Sequence, residues 1–182
     1  MQDLDALRYP IGNFDYSKTF SFDETKQQID EIDQLPIKLT ELTGKWGDDR
    51  LDTSYRPEGW TVRQLVHHVA DSHINAYVRT KLALTEDNPT VKPYEEGEWA
   101  KLTDATLDIA PSLVILRNLH QRWVVVLSGL TQSDLQRTYY HPGSQQTYTI
   151  SQLIGQYTWH GEHHYQQVYQ LAVRNGWLEN NV

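Results

Sequence analysis

Four stretches of this sequence repeat their apolar residues at helical steps, and three of them are announced by the same short signal. Ser21-Phe-Asp-Glu24, Thr61-Val-Arg-Gln64 and Thr149-Ile-Ser-Gln152 each place a hydroxyl three residues before a Glu or Gln. That spacing lets the hydroxyl and the later side chain satisfy each other's backbone N–H groups at a helix start. A chain punctuated this way has little freedom to be anything but helical.

The first helix carries Ile29, Ile32, Leu35 and Leu39 on one face, and Pro36 is expected to kink it or split it in two. The second runs from Thr61 through Val62, Leu65, Val66, Val69, Ala76 and Tyr77 towards Leu84, before a loop with Asn88-Pro89 and Lys92-Pro93. The third has Pro111 in its first turn, then Leu113, Leu116, Leu119, Trp123 and Val126, and is expected to stop near Gly129. The fourth starts at Thr149 and ends at Asn175-Gly176. Residues 137–149, rich in Tyr and Thr around His141-Pro142-Gly143, read as a turn or short hairpin. The expected architecture is an all-α four-helix bundle with minor strand elements.

Length and charge narrow the functional classes. The 182 residues show no linker-like stretch, so one domain over 1–182 is expected. Asp and Glu number 24 against 16 Lys and Arg, a net charge of −8 that would repel a nucleic-acid backbone. The start lacks a basic segment followed by an apolar one, and a short apolar run is WVVVL at 123–127, far below a membrane span. A cytoplasmic protein is expected. With no cysteine, any metal would be held by nitrogen and oxygen.

Histidines supply the chemistry. In the fourth helix Leu153, Tyr157, His160, His164, Val168 and Leu171 fall on one stripe, so His160 and His164 point into the bundle. His163 lies off that stripe and Glu162 nearly opposite, which places both towards solvent or a rim. Two imidazoles at i and i+4 can share one ion, but a catalytic site wants a third protein ligand. In the second helix His68 aligns with Leu65, Ser72 and Ala76, and His73 with Val62, Val66 and Val69, whereas His67 groups with Gln64 and Asp71. Periodicity favours His68 or His73 and does not choose between them. A buried histidine is more often a hydrogen-bonded core residue than a ligand, and that reading is kept for His120 and His141.

Known patterns exclude two alternatives. Gly161 follows His160 where a zinc protease has Glu, and no Asp or Glu is followed three residues later by His, as a di-iron bundle requires. The stretches Gly59-Trp-Thr-Val-Arg-Gln-Leu-Val-His-His68-Val-Ala-Asp-Ser-His, Trp159-His-Gly-Glu-His-His164-Tyr-Gln-Gln-Val and Arg8-Tyr-Pro-Ile-Gly-Asn resemble the DinB/YfiT-like superfamily, and its YfiT branch in particular. The likeness extends over nearly the whole chain. It implies an up-down-down-up four-helix bundle, a homodimer, and one divalent metal per chain, zinc or nickel. By its motif, eight residues after Trp60, it implies His68 as the first ligand beside His160 and His164.

The resemblance further implies a small-molecule enzyme, either a metal-dependent hydrolase or a transferase of a low-molecular-weight thiol such as bacillithiol. No inward carboxylate is evident near His160 or His164, which inclines the sequence reading towards thiol activation. Asp71 or Asp104 would serve as a base only if the fold brings one close, and Asp71 could instead orient the His68 ring. A pocket is expected among residues such as Trp99, Trp123 and Tyr157. A non-catalytic, metal-stabilised interaction bundle is the alternative class, marked by a fourth protein ligand.

Overall fold

The computed structural model describes residues 4–178. Its helices are α1 (Leu4–Arg8), α2 (Phe22–Thr43), α3 (Asp48–Leu51), α4 (Val62–Thr85), α5 (Glu96–Trp99), α6 (Ala110–Ser128) and α7 (Ile150–Arg174). All three capping boxes form, so α2, α4 and α7 begin where the hydroxyl signals place them. Between α6 and α7, β1 (Thr138–His141) and β2 (Gln146–Thr149) pair antiparallel, Tyr139 opposite Tyr148.

Pro36 does not split α2, which runs through it without a break. Proline removes the N–H that would bond the carbonyl four residues earlier. That carbonyl belongs to Ile32, and it is taken instead by His120 Nδ1 of α6 at 2.7 Å. An external donor replaces the missing helical one.

Cross-helix contacts set the topology. Thr25 of α2 meets Ser151 of α7, and Thr158 donates to Gln28. Further along, Leu35 touches Gly161 and Lys38 pairs with Glu162. Both chains advance together, so α2 and α7 are parallel. The same test makes α4 and α6 parallel, since His67 meets Ser112, His73 meets His120, and Thr80 accepts from Trp123. Between α4 and α7 the order reverses: His68 reaches His160 and Arg79 reaches Tyr157. The bundle is therefore up-down-down-up, with α2 and α4 each packed on both α6 and α7.

Two apolar clusters fill the interior. One gathers Ile32, Ala76, Trp123, Ile154 and Tyr157, and the other Leu35, Val69, Leu116, Val168 and Leu171. His73, His120, His160 and His164 occupy the helix turns between them, forming a histidine layer across the bundle.

Outside the bundle, the N-terminal segment lies along α7. Arg8 and Tyr16 accept through their backbone carbonyls from Gln167 and Gln152, Gly12 from Trp159 Nε1, and Phe20 rests on Gly155.

Where α2 and α7 touch at Gly161, an added Cβ would lie 2.5 Å from Leu35 Cδ2, inside contact distance, and Leu35 is buried. Gly161→Val should thus lower stability by about 1–3 kcal/mol through overpacking. Urea denaturation with an unchanged midpoint would show that the two helices can separate freely there.

Candidate metal centre

Three histidine side chains converge from two antiparallel helices. His68 projects from α4, and His160 and His164 from successive turns of α7. One nitrogen from each lies within 4.8 Å of the other two. The closest approach is His68 Nε2 to His160 Nε2, 3.1 Å, and the His160 and His164 rings stand edge to face with centroids 4.5 Å apart.

Burial sets their charge state. Desolvation pushes the His68 imidazole down to about 4, with His163 adding a smaller effect. It pushes His160 and His164 well below the ordinary histidine value, and neighbouring imidazoles add to the shift. Protonation of three clustered rings away from water is unfavourable, so they are neutral at neutral pH and each keeps a lone pair.

Hydrogen bonds decide which nitrogen carries the proton. Gln167 Nε2 donates to the Arg8 carbonyl at 2.8 Å, and a carbonyl can only accept, so the amide orientation is fixed. Its Oε1 must then accept from His164 Nδ1–H at 2.8 Å, which leaves His164 Nε2 as the bare nitrogen.

The other histidines of α4 fall into place around this group. His67 is turned towards α6, where Nδ1 accepts from Ser112 Oγ at 2.7 Å and Nε2 donates to the Leu107 carbonyl at 3.2 Å. His73 is fully buried, stands behind His160 at 3.4 Å and contacts His120 at 2.9 Å. Asp71 makes no hydrogen bond to His68 among the described residues. It shares a narrow cleft with Asp104, where burial and then the second carboxylate raise its pKa.

Three expectations are corrected. His163 does not face solvent: it is buried, stacks on Trp159 with centroids 4.6 Å apart, and accepts from Gln167 Nε2 at 3.0 Å. The N-terminal segment covers the face of α7 that helical phase alone leaves open. Glu162, by contrast, is at a partly exposed rim beside Lys38. Secondly, the cavity over the histidines is walled by Trp60 and Trp159, while Trp123 is a core residue donating to Thr80 and Trp99 lines the cleft beside Asp71. Tyr157 lies behind His160 and accepts from Arg79.

The third correction concerns acid groups. The cavity, about 470 Å³ with His68, His160 and His164 in its wall, also takes in Glu58 and Glu96, together with Arg8 and Arg56. Glu96 opens α5 in the connection between α4 and α6 and is solvent-exposed, yet partial desolvation, followed by the charge of Glu95, raises its pKa. The acidic run Glu95-Glu96-Gly-Glu98 was the available signal, but nothing in its periodicity tied it to the histidines.

Comparison with known proteins identifies relatives of this chain. A family model described as the DinB superfamily matches residues 31–168. A Bacillus cereus strain AH820 protein and a Bacillus anthracis strain A0248 protein are each 47% identical over 174 residues, 96% of this chain and all of theirs. Both bear the name "putative metal-dependent hydrolase". A solved structure, YfiT from Bacillus subtilis, superposes with a TM-score of 0.92 at 41% identity, over 95% of this chain and 99% of that one. It is described as "a probable metal-dependent hydrolase with an unusual four-helix bundle topology".

Gln167 holds His164, His163 and the Arg8 backbone at once. Gln167→Leu should leave the His164 Nδ1–H without its acceptor and lower stability by about 1–3 kcal/mol, read from urea denaturation of the metal-free protein. A loss within about 0.5 kcal/mol would mean that water replaces the amide without penalty.

Proposed function

The chain belongs to the DinB superfamily, and on that footing we propose that His68, His160 and His164 hold one divalent metal ion, zinc or nickel, in a hydrolase acting on a small molecule. The observation that carries the reading is the convergence of three neutral imidazole nitrogens on one point beside an open cavity. At metal–nitrogen distances of about 2.0–2.1 Å, tetrahedral ligands lie roughly 3.3 Å apart. The 3.1 Å between His68 Nε2 and His160 Nε2 is close to that, and the Gln167 contact already turns the bare nitrogen of His164 away from its amide. The donor set fits the ion.

Three protein ligands, with no fourth among the described residues, support a catalytic over a structural site. When bound, such an ion supplies Lewis acidity and acidifies a coordinated water or thiol. The remaining work falls to the chain. Glu96, with its raised pKa, is suited to accept a proton from a nucleophile in the cavity and return it to a leaving group. Trp60 and Trp159 supply flat apolar walls, and Arg8 and Arg56 offer positive charge to an anionic part of the substrate. A cavity of about 470 Å³ suits a small molecule. With Glu96 in the cavity wall, the chain itself offers a carboxylate for proton transfer to and from water.

Metal analysis of the purified protein beside a His68→Ala/His160→Ala/His164→Ala variant tests the first half. One equivalent is expected in the former and none in the latter, and equal contents would sink the site. The second half is read on a chromogenic ester. Glu96→Gln should reduce kcat by about 10²–10⁴ with metal content unchanged. Turnover only with a thiol co-substrate would transfer the assignment to S-transfer.

A further inference from the structure

Behind the three facing histidines, a second line of imidazoles crosses the bundle core. His160 Nδ1 lies 3.4 Å from His73 Nε2, His73 Nδ1 lies 2.9 Å from His120 Nε2, and His120 Nδ1 lies 2.7 Å from the Ile32 carbonyl. The links join α7, α4, α6 and α2 in turn. His73 and His120 are 0% and 1% exposed, so the bond between them is shielded from water.

The direction of every bond follows from its far end. Ile32 offers only a carbonyl, so His120 Nδ1 must carry the proton and donate. A neutral imidazole has a single N–H, and burial keeps His120 neutral, with a pKa of about 4. His120 Nε2 is then an acceptor, and His73 Nδ1 must donate to it. By the same step His73 Nε2 accepts from His160 Nδ1–H. The proton of His160 is thereby held on the side away from the cavity, and its Nε2, the atom 3.1 Å from His68 Nε2, carries no proton and is the accepting partner of that contact.

Pro36 anchors the series. It deletes the one N–H that would otherwise occupy the Ile32 carbonyl, so that acceptor is available to His120 in the middle of a helix.

We propose that Pro36, His120 and His73 form a positioning relay that fixes the tautomer and ring orientation of His160 for metal binding, complementing the Gln167 contact that does so for His164. The inference rests on the metal reading given above. Metal-ligating imidazoles are held this way by partners whose loss typically weakens binding 10–100-fold, but here the partner is a chain of two further imidazoles ending on a proline-freed carbonyl.

The test uses the full chain and zinc(II) alone. In wild-type metal-free protein, nitrogen-15 spectra of the imidazoles should show the His160 proton on Nδ1, and in His120→Leu it should shift towards Nε2. Zinc affinity, measured by chelator competition on folded protein, should fall 10–100-fold in His120→Leu and in His73→Leu. His120→Gln, whose amide can still donate to Ile32 and accept from His73, should recover most of it. Because folded protein is compared, a loss of stability alone would leave both affinity and the position of the proton unmoved. Wild type that takes up no more zinc than His160→Ala overturns the metal reading, and the relay's purpose with it. Wild type that binds zinc, beside a His120→Leu variant within twofold of it and an unmoved His160 proton, overturns the relay alone.

Discussion

The constraint on which this molecule turns is that an imidazole withdrawn from water loses stability for each ring nitrogen left without a partner, a cost borne here at His163 Nδ1. Burying one such ring is ordinary, whereas the bundle places several in adjacent turns of three helices, between two apolar clusters. Each unsatisfied nitrogen would cost on the order of 1–3 kcal/mol. The layer persists because nearly every proton in it has an assigned acceptor, and the apolar clusters on either side hold the helices at the spacing those bonds need. Packing and polarity are thus mutually dependent. The clusters alone would tolerate small rotations of α4 against α7, while the histidine layer permits one register.

The parallel pairs α2/α7 and α4/α6 explain why the layer can be continuous. His73 and His120 lie 47 residues apart in sequence yet meet side by side because their helices advance together. His68 and His160, on antiparallel helices, meet at a crossing of opposite sense. The site is therefore a product of topology as much as of residue choice, and the same histidines threaded through a different helix order would not converge.

Much of this was legible in the sequence, and the remainder was hidden for identifiable reasons. The three capping boxes start helices where they are written, because the signal is local and complete within four residues. His160 and His164 could be placed inward because four apolar or aromatic residues, Leu153, Tyr157, Val168 and Leu171, share their stripe. The choice between His68 and His73 could not be made from periodicity, since both are buried and both reach His160, one from the cavity side and one from behind. His163 and Glu96 were misjudged or overlooked because their surroundings come from segments without periodicity, the N-terminal strap and the connection ahead of α6. Helical phase reports which way a side chain leaves its own helix and is silent about what lies over it.

The connection between α4 and α6 owes its length to geometry. Parallel neighbours cannot be joined by a tight turn, so the chain must travel back along α4, a helix of 24 residues and thus about 36 Å. On the way it lays Pro89–Val91 against β1, sets Tyr94 and Glu96 near the histidines, and brings Leu107 to His67. An up-down-up-down bundle with short loops would have no such return segment and would lack the Glu96 side of the cavity wall. The detour gives the fold a wall that is separate from its scaffold, so relatives could exchange that wall for another and change what enters while leaving the helices and their histidines untouched.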